Sequence, residues 1–93
     1  MAREIVLTDR ADQEIDDACD WYEACEPGLD EAFLRALGQA LDAISHQPEF
    51  YPIRFASIRR IILKKFPYAV YYRPDGEMII VEAVFHEARD PSR

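Results

Sequence analysis

The sequence predicts an α+β fold: a helical hairpin packed on one face of an antiparallel sheet, in the order β-α-α-β-β-β, as a single domain over residues 1–93. Three observations carry this expectation. Apolar residues recur at helical period through the first half of the chain. Runs rich in Ile, Val, Tyr and Phe, which fit a pleated surface, fill the second half. The 93 residues allow one core only, at ~100–150 residues per domain. One layer of helices on one face of such a sheet buries both apolar faces together.

Residues 3–8 alternate charge with Ile5 and Leu7 and read as a short strand. Thr8 or Asp9 then supplies an N-cap, and Asp12, Glu14 and Asp16 place negative charge near the positive end of a helix dipole. Ala11, Ile15, Ala18, Cys19 and Tyr22 form one apolar stripe, with Asp12, Asp16, Asp17, Asp20 and Glu23 away from it. Pro27-Gly28 ends this helix. A second follows over residues 29–47, its stripe made by Phe33, Leu37, Ala40, Leu41 and Ile44, and Pro48 stops it. So short a turn between two amphipathic helices predicts an antiparallel hairpin. Residues 49–56, with one proline and three aromatics, read as a loop against the body. Strands are expected over 58–66, 68–73 and 77–86, joined as a meander. Pro74-Asp75-Gly76 is a strong turn signal, while the join at Phe66-Pro67 implies an edge or a strand start. In the last strand Ile79, Val81, Ala83 and Phe85 share one face, the expected core face, against Met78, Ile80, Glu82, Val84 and His86. The expected core is Phe33, Leu37, Leu41, Ile44, Ile79, Val81 and Phe85.

Composition excludes several classes. The longest apolar runs, residues 69–72 and 78–81, are four residues long, against the roughly 20 that span a bilayer. Three scattered glycines leave neither a phosphate-cradling loop nor a dinucleotide fingerprint, so no cofactor is expected. Cys19 and Cys25 make no CxxC, and His46 and His86 lie too far along to complete a finger, so no metal is expected either. No signal peptide opens the chain, which points to reduced thiols and a cytoplasmic protein. Net charge is −7, unevenly spread: residues 1–50 hold three basic and thirteen acidic side chains, whereas 51–93 hold eight and five. An acidic half followed by a mildly basic one suggests two surfaces with different partners; the plainer reading is solvated helices beside a sheet carrying a few cations.

Over residues 58–66 the alternation puts Arg59, Ile61, Leu63 and Lys65 on one side and Arg60, Ile62, Lys64 and Phe66 on the other. Each side has two cations, so one basic pair stands on the open sheet face whichever side meets the helices. With Tyr68, Tyr71, Tyr72 and Arg73 nearby, such a face can contact phosphates and stack on bases; equally, it can be a solvated face with snorkelling side chains. His86, near arginines, could pass protons in phosphodiester cleavage or serve as a hydrogen-bonded strand end. The carboxylates of Asp16, Asp17, Asp20 and Glu23 would need further oxygen ligands to hold a cation, and otherwise form a solvated helix face.

The strings Asp20-Trp21-Tyr22-Glu23, Pro27-Gly28-Leu29 and His46-Gln47-Pro48-Glu49 resemble the RelE/ParE superfamily of toxins. So do Arg59-Arg60, the run Phe66-Pro67-Tyr68-Ala69-Val70-Tyr71-Tyr72-Arg73, and Val84-Phe85-His86 followed by Arg89-Asp90-Pro91. The resemblance runs from about residue 4 to 91 and is nearest to the ParE-like, plasmid-stabilisation members. It implies the toxin of a type II toxin–antitoxin module, covered by a cognate antitoxin, on the fold read above. ParE-like members bind DNA gyrase and need no catalytic residue. RelE-like members are ribosome-dependent mRNA endoribonucleases with basic side chains on the sheet. The acidic net charge, the Pro91-Ser92-Arg93 end without a tyrosine, and the small number of cations favour the gyrase inhibitor. On that reading Arg59, Arg60, Lys64, Lys65, Arg73 and Arg89 are the expected target-binding residues. On the ribonuclease alternative, Arg60, His86 and Arg89 would be catalytic, with ribosome and mRNA as partners. A weak or inactive family member is the third possibility. No membrane partner is expected.

Overall fold

The structure is a computed structural model describing residues 2–89, with Arg89 defined by its backbone alone. Strand β1 (Glu4–Leu7) leads into helix α1 (Asp9–Cys25), and helix α2 (Leu29–His46) completes the hairpin. Strands β2 (Ile53–Phe55), β3 (Ile58–Ile62), β4 (Tyr68–Asp75) and β5 (Met78–His86) follow, and a 3-10 turn covers Glu87–Arg89. The five strands form one sheet in the order β1-β5-β4-β3-β2.

Thr8 is the N-cap of α1: its hydroxyl accepts the Ala11 N–H at 3.1 Å, and Asp9 and Asp12 stand in the first turn. The helix closes with the Glu26 N–H on the Tyr22 carbonyl at 3.0 Å. Gly28, at φ 90°, takes the left-handed backbone that reverses the chain into α2. The two stripes then meet the sheet. Ala11, Ile15, Ala18, Phe33, Leu37, Ala40 and Ile44 are buried against Val70, Tyr72, Ile79, Val81 and Val84, with Leu41 half-buried beside them. Aromatic rings close one end: Phe33 lies 5.4 Å from Tyr22, 5.6 Å from Phe66 and 5.2 Å from Tyr68, centroid to centroid.

The sheet departs from the expected meander in three ways. First, β1 pairs with β5 in parallel, Glu4 opposite Met78 through Leu7 opposite Val81, so the sheet is mostly rather than wholly antiparallel. The intervening chain carries β1 and β5 in the same direction, as a crossover connection does. Second, the expected loop over 49–56 contains β2, an edge strand paired with β3 at Ile53 opposite Arg59 and Phe55 opposite Ile58. Third, Tyr71 pairs with Ala83 while Tyr72 pairs with Val81, so Glu82 is an extra residue in β5. A bulge of this kind inverts the alternation beyond it. Val84 therefore joins Ile79 and Val81 under the helices, whereas Ala83 and Phe85 turn to the opposite face with Ala69, Tyr71 and Ile58. The expected placement of Phe85 in the hairpin core is thus corrected.

Candidate functional site

Strand register assigns each candidate cation to a face. Ile61 and Leu63 belong to the core under the helices, so Arg59 points the same way and Arg60 and Ile62 point to the open face. Arg59 is taken up locally. Its Nη1 donates to the Glu49 carbonyl at 3.1 Å and the Tyr51 carbonyl at 2.6 Å, bracing the loop before β2. The buried Tyr72 hydroxyl donates to the Pro48 carbonyl of that loop at 2.6 Å. Burial is the main reason its phenol is pushed up to about 12, with Tyr51 adding to the shift and Arg59 opposing it.

On the open face Arg60 lies opposite Tyr71, and its Nη1 meets Glu87 Oε1 at 3.2 Å. Tyr71 donates its hydroxyl to Glu87 Oε2 at 3.4 Å. Arg73 donates through Nε to Glu82 Oε2 at 2.7 Å and lies 3.5 Å from Asp75 Oδ2. The hydrogen bond to Glu82 is the largest of the effects that push its guanidinium pKa above the ordinary value. Arg60 and Arg73 therefore sit beside carboxylates that offset their charge. Lys64 and Lys65 differ. Both are exposed in the turn between β3 and β4, and among the described residues neither has a carboxylate within ion-pair reach. Lys65 holds φ at 70°, a conformation strained for any residue with a Cβ.

His86 stands on the other side of the sheet. It pairs with Tyr68, whose ring is part of the helix-side core, and the two rings meet edge to face at 5.2 Å. Its Nδ1 accepts the Ala88 N–H at 3.1 Å. The register thus puts His86 and Arg60 on opposite faces of the sheet. The Arg89 side chain lies outside the described residues.

His86 instead borders a groove of about 340 Å³ between α1 and β5, with Glu14, Asp17, Trp21 and Tyr68 along its walls. Trp21 is 60% exposed there. β1 stops opposite Val81, so beyond it the edge of β5 faces α1, where Glu14 Oε1 accepts the Val84 N–H at 2.8 Å and the Thr8 hydroxyl donates to the Glu82 carbonyl at 3.1 Å. Neither Glu14 nor Trp21 stood out as a site residue in the sequence. The available signal was that Trp21 falls off the α1 stripe, which leaves a large aromatic outside the core. Burial first, then Asp30, Asp16 and Asp20, push the Cys19 thiol up, so its thiolate is disfavoured. Among the described residues no group of three or more His, Cys, Asp or Glu side chains is placed to hold a metal ion.

Residues 5–91 match the family model described as the ParE toxin of type II toxin-antitoxin system, parDE. A search of curated proteins returned no match. Among solved structures the chain is similar to one described as the chromosomal ParDE TA system from P. aeruginosa, at a TM-score of 0.68 and 16% identity. That similarity covers 91% of this chain and 96% of the other, and it is a likeness of fold.

Proposed function

The chain belongs to the ParE toxin family of type II toxin–antitoxin systems, and from that premise we propose that it inhibits DNA gyrase by binding and is neutralised by a cognate antitoxin. The observation that carries this reading is the separation of Arg60 and His86 on opposite faces of the sheet. A binding protein needs no proton donor beside a phosphate; a ribonuclease does. Antitoxin and gyrase would both meet the chain in the cytoplasm. No helix of the described residues is long and apolar enough to cross a membrane.

Cleavage of mRNA on the ribosome is the second reading, and one cluster favours it. On the open face the Arg60 guanidinium and the Tyr71 phenol each reach the Glu87 carboxylate, which gathers a cation, a carboxylate and a phenol. Two substitutions in two assays decide. With purified gyrase, His86→Ala and Glu87→Gln should inhibit supercoiling within a few-fold of the wild-type chain once folding is checked by circular dichroism. On programmed ribosomes none of the three proteins should cut mRNA. Cleavage by the wild-type chain that falls by about 10²–10⁴ in either variant, with gyrase untouched, overturns the gyrase reading. Expression that leaves growth normal with soluble, folded toxin in the cells supports an inactive member instead.

A further inference from the structure

Three kinds of feature gather on the β2–β3 edge of the sheet. The first is apolar exposure. Phe50 is 73% exposed, Ile53 56%, Phe55 51% and Ile62 52%. Phe55, paired with Ile58, and Ile62 stand on the open face, whereas Ile53, opposite Arg59, stands on the other, so apolar exposure wraps both sides of this edge, and exposure gathered in this way marks an interaction surface. Among the described residues β2 is also the last strand of the sheet, with no strand paired to its outer edge.

The second is charge. Arg54 on β2, and Lys64 and Lys65 in the turn after β3, are exposed, and among the described residues none has a carboxylate within 4 Å. Arg10 on α1, Arg60 on β3 itself and Arg73 on β4 each sit on a carboxylate. In a chain of net charge −7, Arg54, Lys64 and Lys65 leave this edge a local positive surface that complements an acidic one. The third is strain. The described non-glycine residues with positive φ are Ala56 at 47° and Lys65 at 70°, one in each turn that flanks β3. Strained backbone of this sort persists where a binding surface needs a particular shape.

We propose that the β2–β3 edge is the surface that holds the target, and that its partner is an acidic protein surface with pockets for apolar side chains. This rests on the gyrase-binding reading above and names the residues that do the binding. Nucleic acid fits less well, because the exposed Ile53, Phe55 and Ile62 have nothing to recognise in a phosphate backbone. A two-fold pairing with a second copy fits less well too, since it would bring the same cations together.

The test uses two double variants of the whole chain, measured with the purified gyrase holoenzyme by direct binding and by inhibition of supercoiling. Ile53→Ser with Phe55→Ser removes the apolar anchors, and Lys64→Glu with Lys65→Glu reverses the charge without touching the core. Each should weaken binding and inhibition at least ~10-fold while circular dichroism and melting stay near wild type. The charge-reversal loss should shrink as salt is raised. Arg35→Glu, an exposed cation on α2, should behave as wild type. If both double variants inhibit as the wild-type chain does, this inference is overturned and the gyrase reading stands. A wild-type chain that neither binds nor inhibits gyrase overturns the two together. Binding to duplex DNA alone that only the lysine pair controls, or a wild-type dimer that the Ile53/Phe55 variant dissolves, overturns the choice of partner.

Discussion

At the scale of single residues, Tyr72 couples the core to the loop before β2, and its raised pKa makes the coupling measurable. The folded protein holds this phenol neutral to about pH 12, whereas an unfolded chain ionises it near 10. Its contribution to stability is therefore complete below about pH 10 and is lost as pH rises from there through about 12. We expect Tyr72 to titrate late by ultraviolet absorbance, and stability to fall by up to about 3 kcal/mol across that window. Tyr72→Phe should flatten this slope, at a cost of about 1 kcal/mol at neutral pH for the bond to Pro48. None of this was legible in the sequence, where Tyr72 was one of several tyrosines near a basic stretch. The same limit applied to Arg59 and Arg60. Two cations and two apolar residues on each side left the alternation of β3 without a preferred face, and the decision fell to partners distant in sequence, the carbonyls of Glu49 and Tyr51 for Arg59 and the carboxylate of Glu87 for Arg60.

At the scale of elements, both helices were legible because a stripe at helical period bounded by Thr8, Gly28 and Pro48 leaves little freedom. β2 was not, since three exposed residues after Pro52 carry no burial pattern, and the strand exists only because β3 offers a partner. The bulge at Glu82 was likewise hidden: it inserts a residue without any change in composition and exchanges the faces of Ala83 to Phe85. Substitutions separate the two faces. Leu37→Ala should cost about 2–5 kcal/mol and Phe33→Ala about 3–5 kcal/mol, because both side chains are buried between hairpin and sheet. Phe85→Ala, on the face where the Arg10 guanidinium lies 4.4 Å from its ring centroid, should cost only about 1–2 kcal/mol. Urea denaturation of the three variants checks the order, and a Phe85 loss equal to that of Phe33 would return it to the hairpin core.

At the scale of the whole molecule, the charge asymmetry of the sequence becomes a division of surfaces. The acidic half supplies β1 and the helix layer, and the basic half supplies the other four strands. An antitoxin segment crossing α1 should carry lysines or arginines beside its apolar anchors, since like charges across an interface repel. Trp21 reports on it directly, being the single tryptophan and 60% exposed. Its emission should shift to the blue when the cognate antitoxin binds, and an unchanged spectrum at saturation would place the antitoxin away from the α1–β5 groove. The parallel β1 has one more consequence, which concerns time. β3, β4 and β5 are neighbours along the chain and can zip together through short loops, but Glu4 meets Met78 only after all the chain between them is present. Closing so long a loop delays the pairing, so β1 should dock after the rate-limiting step of folding. Ile5→Val should then speed unfolding and leave the folding rate nearly unchanged. On the ribosome the same topology keeps a nascent chain from completing its sheet until β5 has emerged, so the fold matures only after its last strand is made.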